Sequence, residues 1–208
     1  MHAYPLYCEV AKGFLDPELV PFACALTAEL AGTGRAPLMQ EFGICTAPSG
    51  AAGVTIIDDF LGQPRAQYLA SEDEGAHYYA QVLDRLVATG AAGAYAWCYG
   101  DYDAKLFDRA PLDTAIRERS FGLVRADGSE KPACTVIREF ASRLAGGEVH
   151  FGSAPKVLDV GADAYYAAPE HNFRRLYERW LTAGRERPAR PGIESRERSD
   201  GGSIDGSS

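Results

Sequence analysis

Hydrophobic positions along the chain alternate between helical spacing and short apolar runs. A first helix is predicted from Asp16-Pro17, an N-cap followed by a first-turn proline, to Gly32. Its apolar positions are spaced to form one buried face, which consists of Leu19, Phe22, Ala23, Leu26 and Leu30. Residues 35–43 (RAPLMQEFG) follow and predict a short buried strand.

A second helix is predicted further along, after a long intervening region. Residues 44–70 are rich in Gly, Ala and Pro, and their one apolar patch, 54–57, is not assigned to an element. Ser71 and Glu74 form an S-x-x-E capping box that begins the second helix, and Gly90 ends it. The predicted inner face of this helix consists of Tyr78, Tyr79, Val82, Leu83, Leu86 and Val87.

The second predicted strand is residues 93–98 (GAYAWC), which are small and aromatic. After an acidic loop, residues 121–124 and the turn signal Asp127-Gly128 precede a third helix that begins at Pro132. This helix is expected to end at Gly146-Gly147, with a buried face made of Val136, Ile137, Phe140 and Leu144.

The last predicted element is a fourth helix after Pro169, which is expected to end at Gly184. Its helically spaced apolar positions are Phe173, Leu176, Tyr177, Trp180 and Leu181. From residue 185 the chain contains mainly Arg, Glu, Gly, Ser and Asp without periodicity, which predicts a disordered tail.

The alternation of strands and helices predicts an α/β fold with a parallel sheet and crossover helices. Ligands of such sheets bind at the carboxyl ends of the strands. Three predicted strand ends carry groups that a purely structural strand does not need: His2 with Tyr4, Glu41, and Trp97.

Composition and charge restrict the function classes. The chain has 208 residues, 46% of them apolar, and a net charge of −8, so it can bury a core and repels phosphate. We therefore expect no nucleic-acid partner. No apolar run is long enough for a transmembrane helix. The first residues lack a signal-peptide pattern, so any secretion signal would belong to a part in front of this sequence. The five widely spaced cysteines are interpreted as mostly buried free thiols, and no metal site is predicted.

Four sequence features occur in an order that resembles a known enzyme family. They are His2-x-Tyr4, P-L-x-x-E-F-G at 37–43, the strand that ends in Trp97, and F-G-L at 121–123 with D-G-x-x-K-P-A at 127–133. Together they resemble the last three β/α units of a cellulase-like glycoside hydrolase of family five, or of a close relative in the same retaining clan. The resemblance covers about residues 2–145.

The resemblance implies a TIM barrel with a carbohydrate-binding cleft at the carboxyl ends of its strands. The residue that matches Glu41 is the catalytic nucleophile in that family, and hydrolysis proceeds with retention through a covalent glycosyl-enzyme. The tyrosine that matches Tyr4 hydrogen-bonds the nucleophile, and the histidine that matches His2 lines the same floor. The tryptophan that matches Trp97 is a flat platform for a sugar ring. No cofactor is implied.

Each of these residues also has a simpler interpretation. Glu41 could be solvated or ion-paired, Trp97 could belong to the core, and His2 could be frayed because it lies next to the terminus. Asp101 and Asp103 could bind sugar hydroxyls as substrate-binding residues, or they could be solvated turn acids.

The sequence departs from the family at the general acid/base. That residue is a Glu after an Asn at the end of strand four, and this chain has a single Asn, Asn172, followed by Phe. A full barrel needs about 250 residues, so we expect the C-terminal part of a TIM (β/α)8 barrel: about three β/α units in residues 1–147, an extension with one helix in 148–184, and a disordered tail in 185–208. Such a chain is expected to be nearly inactive alone and prone to self-association through open barrel edges. The alternative is a non-catalytic carbohydrate-binding or interaction module from a degenerate barrel.

Overall fold

The computed structural model describes residues 15–60, 62–153 and 155–186. It contains five α-helices and four strands over these ranges. None of the helices described is both long and apolar enough to span a bilayer. In chain order the elements are α1 (Leu19–Ala31), β1 (Leu38–Phe42), β2 (Val54–Phe60), β3 (Gln63–Leu69), α2 (Glu72–Ala88), β4 (Gly93–Ala96), α3 (Pro132–Ala145), α4 (Ala162–Ala167) and α5 (Pro169–Glu186).

The centre of the fold is a parallel pair of strands, β1 and β4, with Leu38 opposite Gly93. This confirms the two predicted strands, each shorter than its apolar run, and the predicted parallel pairing. The helix α2 lies between the two strands in sequence, as a crossover connection between parallel strands requires. The predicted strand end at His2 and Tyr4 lies outside the described residues.

The strand β1 contains an irregularity that sets the direction of its last side chains. Met39 is opposite Ala94 and Phe42 is opposite Ala96, so β1 uses one more residue than β4 over the same interval. Such a β-bulge changes which face the following side chain points to. Both Met39 and Phe42 are therefore in the core, whereas Gln40 is exposed and Glu41 is half-buried between them.

The helix α2 covers this sheet and has the predicted inner face, with all six residues buried. Its capping box is present: the Ser71 hydroxyl accepts from the Glu74 amide at 3.2 Å, and the Glu74 carboxylate accepts from the Ser71 amide at 2.7 Å. The Tyr68 hydroxyl also contacts the Glu74 carboxylate at 3.0 Å. These contacts fix the start of α2 directly after β3.

Replacing Ser71 with Ala is expected to lower the free energy of unfolding by about 1 kcal/mol, because the amide of Glu74 loses its partner. Urea denaturation followed by circular dichroism measures this loss. Ser142→Ala is the matched control, since that exposed hydroxyl donates only to a carbonyl of its own helix. An equal effect of both substitutions would contradict the capping role.

The sequence analysis missed the antiparallel hairpin formed by β2 and β3, in which Val54 pairs with Leu69 and Phe60 with Gln63. The turn is built around Gly62, which has φ +77° and donates its amide to the Asp59 carboxylate at 2.9 Å. Most residues of β3 are exposed, so the hydrophobic alternation that identifies a strand is weak here.

The helix α3 begins at Pro132, as predicted, and packs on α2. Val136, Ile137 and Phe140 are partly buried against the core. The assignment of Leu144 to the buried face was wrong, because its side chain is 41% exposed at the end of the helix.

The C-terminal helix α5 packs against α1 through an aromatic cluster. The ring of Phe22 lies 4.9 Å from that of Tyr177 and 5.2 Å from that of Phe173. The Trp180 indole donates to the Glu18 carboxylate at 2.9 Å. The short α4 was not predicted, and α5 continues past the predicted end at Gly184 to Glu186. Of the predicted tail, residues 185–208, the part from 187 onward lies outside the described residues, and the division at residue 147 stays a prediction.

Candidate active site

The carboxyl ends of β1 and β4 meet at one edge of the sheet. The Trp97 amide donates to the Phe42 carbonyl at 2.8 Å. A Cβ atom on Gly43 would lie 2.2 Å from the Trp97 carbonyl oxygen, so a side chain at this position would force the two strand ends apart. Glu41 and Trp97 are therefore held at adjacent strand ends. We call residues 41–43 together with Trp97 the strand-end mouth.

Glu41 is positioned by the bulge of β1 rather than by simple alternation. Its neighbour Phe42 packs in the core, with its ring 5.4 Å from that of Tyr79 on α2. Glu41 itself is half-buried and precedes the hydrogen bond to Trp97 by one residue. The predicted nucleophile is thus presented at the end of its strand, while the residue after it anchors that strand to the helix layer.

Trp97 belongs to a row of exposed aromatic residues that begins in β4 and continues into the loop after it. Tyr95, Trp97 and Tyr99 are 63%, 37% and 80% exposed, whereas the two residues between them contact the core: Ala96, like Ala94, on the helix side, and Cys98 beside Phe121. Alternation along β4 places Tyr95, and Trp97 directly after the strand, on the face away from the helices, and Tyr99 follows in the loop. We call Tyr95, Trp97 and Leu38, which is 41% exposed, the inner face.

Asp101 lies in a buried ion pair, not in a solvated turn as one interpretation expected. The Lys131 ammonium lies 2.8 Å from both Asp101 carboxylate oxygens, and the Gly122 amide donates to the same carboxylate at 2.7 Å. The side chains of Lys131 and Asp101 are 3% and 15% exposed. Asp103 does behave as an exposed turn acid and caps a short 3-10 turn by accepting from the Lys105 amide.

The Lys131 ammonium also joins the loops that follow the two strands. It donates to the Thr46 hydroxyl at 2.9 Å, after β1, and to the Ser120 carbonyl at 3.1 Å, after β4. Lys131 follows the Asp127-Gly128 turn, in which Gly128 has φ +87°. The lysine of the D-G-x-x-K-P sequence therefore joins the loops after β1 and β4. The sequence analysis used this motif only as a marker of resemblance and missed the role of its lysine.

A second buried ion pair ties the hairpin to the loop after β4. The Asp58 carboxylate accepts from the Ile116 amide at 2.6 Å and from the Arg117 guanidinium at 2.7 Å. The Asp58 side chain is fully buried, although it lies in a strand with several exposed positions. Two adjacent acids, Asp58 and Asp59, at the end of an apolar run were the only sequence signal for this contact.

The four described cysteines are free thiols, as interpreted, but only Cys24 and Cys45 are buried, whereas Cys98 and Cys134 are half-buried. Burial raises the pKa of Cys24 to about 11 and that of Cys45 to about 12. Burial also raises the pKa of Cys98 and Cys134. In the parts of the chain that the structure describes, no group of three or more His, Cys, Asp and Glu side chains could hold a metal ion. Two predicted site residues, His2 and Tyr4, lie outside those parts, as does Cys8.

Comparisons with known proteins identify the fold. No protein-family model matches the chain, and no curated protein matches it. The similar solved structures include GH5_18 from Streptomyces cattleya in complex with GlcNAc, with 20% identity and a TM-score of 0.55. A single-residue variant of that enzyme in complex with Manβ1-4GlcNAc has 22% identity and the same TM-score. GH5_18 from Bifidobacterium longum subsp. longum has 16% identity and a TM-score of 0.51.

These similarities cover 83% of this chain in all three cases, but only 37–38% of the solved structures. The chain thus spans well under half the length of the enzymes that it resembles. Its described part contains two complete β/α units, β1 with α2 and β4 with α3, preceded by the helix α1. The chain has the fold of part of a TIM barrel of the glycoside hydrolase family five type, as the sequence motifs predicted.

Proposed function

We propose that this chain supplies the nucleophile side of a retaining glycoside hydrolase. The observation that carries the proposal is the strand-end mouth, in which Glu41 and Trp97 lie at adjacent strand ends joined by the 2.8 Å hydrogen bond from Trp97 to Phe42. Carboxylates at the carboxyl ends of barrel strands are where TIM-barrel enzymes place their catalytic groups. The similarity to glycoside hydrolase barrels supports the same assignment.

In the proposed mechanism a Glu41 oxygen attacks the anomeric carbon and the glycosidic bond breaks. A second carboxylic acid protonates the departing oxygen, which leaves a glycosyl ester on Glu41. That second group then removes a proton from water, which attacks the same carbon and releases Glu41 with retained configuration. The two carboxyl groups must be about 5–5.5 Å apart.

The other predicted residues assist this chemistry. Trp97 is proposed as the platform on which the apolar face of a sugar ring stacks, since its ring is open to solvent on the inner face. Tyr4 is proposed to hydrogen-bond Glu41 and keep it ionised, with His2 beside it. Asp101 is proposed to contact a sugar hydroxyl with oxygen lone pairs that Lys131 and Gly122 leave open.

The general acid/base is proposed to come from barrel units beyond this chain. The only asparagine, Asn172, lies on α5 and donates its amide to the Ala164 and Tyr165 carbonyls, so it braces the α4–α5 corner. The exposed inner face supports the need for further units, because those side chains are the ones that neighbouring strands of a closed barrel cover. Self-association through this face remains a prediction for the chain alone.

We expect the chain alone to show little or no turnover of aryl glycosides. A fusion that places it after the first five β/α units of the Streptomyces cattleya GH5_18 barrel is expected to hydrolyse them, because both carboxylates are then present. Aryl β-mannosides are the first substrates to test, since the GH5_18 variant was solved with Manβ1-4GlcNAc, and aryl cellobiosides test the cellulase-like resemblance.

Robust turnover by the chain alone would contradict the prediction that this chain lacks the general acid/base. A folded fusion that binds oligosaccharides without hydrolysing any of them would favour the alternative, a non-catalytic carbohydrate-binding or interaction module. The same fusion with Glu130→Gln is the matched control, because that exposed glutamate pairs with Arg138 on α3.

A further inference from the structure

A cleft of about 330 Å³ lies between the loop that follows β1 and the loop that follows β4. We call it the rim cleft. Its walls include Thr46 from the first loop, Glu72 from the first turn of α2, and residues from Asp101 onward in the second loop. The volume is in the range of small-molecule sites. Since Thr46 and Asp101 each follow a mouth residue within a few positions, the rim cleft lies on the same edge of the sheet as Glu41 and Trp97.

The polar groups of one wall are fixed before any ligand binds. The Arg125 guanidinium donates to both Glu72 carboxylate oxygens, at 2.8 and 2.5 Å, and also to the Ser129 hydroxyl and the Glu130 carbonyl. The Glu72 side chain is only 9% exposed. Each carboxylate oxygen can accept a further hydrogen bond. A rigid carboxylate–guanidinium plane of this kind suits adjacent hydroxyl groups, which both donate and accept.

Arg119 provides a second fixed polar group in the lining. Its guanidinium donates to the carbonyls of Leu112, Phe107 and Asp113, and it lies 4.6 Å from the centre of the Phe107 ring. Among the residues that the structure describes, Arg119 has no carboxylate partner. It is therefore a cation held in place by neutral groups beside a cleft, with donor capacity left for a ligand oxygen.

Tyr102 adds a partly exposed aromatic side chain to the lining. Its side chain is 44% exposed, while its amide is fixed by the Arg119 carbonyl at 3.1 Å. The charged residues in the lining are Glu72, Asp101, Arg119 and Arg125, two of each sign, so the cleft favours a neutral ligand. An exposed ring beside hydroxyl-binding groups matches the apolar face and polar rim of a pyranose.

We infer that the rim cleft is a subsite for a neutral saccharide residue, with Tyr102 as its platform and the Glu72–Arg125 pair and Arg119 as its hydroxyl ligands. The inference rests on the proposed carbohydrate function, because the rim cleft borders the strand-end mouth. It adds a second saccharide-contact region to that function, next to the strand-end mouth.

The test is an amide chemical-shift titration of the full 208-residue chain with methyl β-mannoside, N-acetylglucosamine and cellobiose. We expect saccharide-dependent shifts at Thr46, Tyr102 and Ala104. Tyr102→Ala is expected to weaken binding about tenfold, which corresponds to about 1.4 kcal/mol. Tyr166→Ala is the matched control, because that tyrosine is 61% exposed on α4, in another part of the molecule.

Shifts confined to Glu41 and Trp97, or no shifts at the rim cleft with any of the three saccharides, would overturn the subsite. Equal weakening by the two tyrosine variants would also overturn it. If Tyr102→Ala does not fold, the shift map of the unsubstituted chain decides the question. Rim-cleft shifts combined with an inactive fusion would leave the subsite standing and refute the hydrolase proposal.

Discussion

Glu41→Gln in the completed barrel is expected to lower kcat about 10³-fold or more, while the fold is unchanged. Gln has nearly the same shape as Glu, but its amide is too weak a nucleophile to form the glycosyl ester. A 10³-fold loss corresponds to about 4 kcal/mol of transition-state stabilisation. Steady-state kinetics of the five-unit fusion with an activated aryl glycoside measure the loss, and Glu130→Gln is expected to retain full activity.

A chemical rescue experiment distinguishes a nucleophilic role of Glu41 from a purely structural role in the strand-end mouth. In Glu41→Gly, added azide can occupy the space of the lost side chain and attack the anomeric carbon. We expect partial recovery of turnover and a glycosyl azide of inverted configuration, because only one displacement occurs. If Glu41→Gln keeps most of its activity, or if azide rescues nothing in a folded variant, Glu41 is not the nucleophile.

Lys131→Met is expected to lower the free energy of unfolding by about 3–5 kcal/mol, because it leaves the carboxylate of Asp101 buried without its counter-charge. The same change removes the ammonium group that donates to Thr46 and to Ser120 and so joins the loops after β1 and β4. Urea denaturation of the full chain measures the loss. The double variant Lys131→Met with Asp101→Leu is expected to be less destabilised than the sum of its single changes.

The control for this effect lies in the same loop. Lys105 pairs with Asp103 at 3.4 Å, with side chains 88% and 53% exposed. Exposed pairs contribute about 0–1 kcal/mol, so Lys105→Met is expected to have little effect. If Lys131→Met lowers the free energy of unfolding as little as Lys105→Met does, the buried pair does not hold the two loops together.

Local sequence signals identified four of the five described helices, α1, α2, α3 and α5, and missed the short α4. The capping box of Ser71 and Glu74, the proline at the start of α3 and the αL glycine after α1 each act within one turn. Hydrophobic spacing also identified the buried face of α2, since helical periodicity can be read over a short window. The ordered motifs around Glu41 and Trp97 indicated the partial barrel, because the residues that shape strand ends lie close together in sequence.

Contacts between distant residues decided the rest. The bulge in β1 depends on its register with β4, so the sequence alone does not show that Phe42 turns into the core while Glu41 stays beside it. The Lys131–Asp101 and Asp58–Arg117 pairs span 30 and 59 residues. The rim cleft exists only where two loops and the first turn of α2 meet. Local propensity acts through neighbouring residues and is visible in sequence, whereas ion-pair partners and cavities arise from the packing of elements that are far apart along the chain.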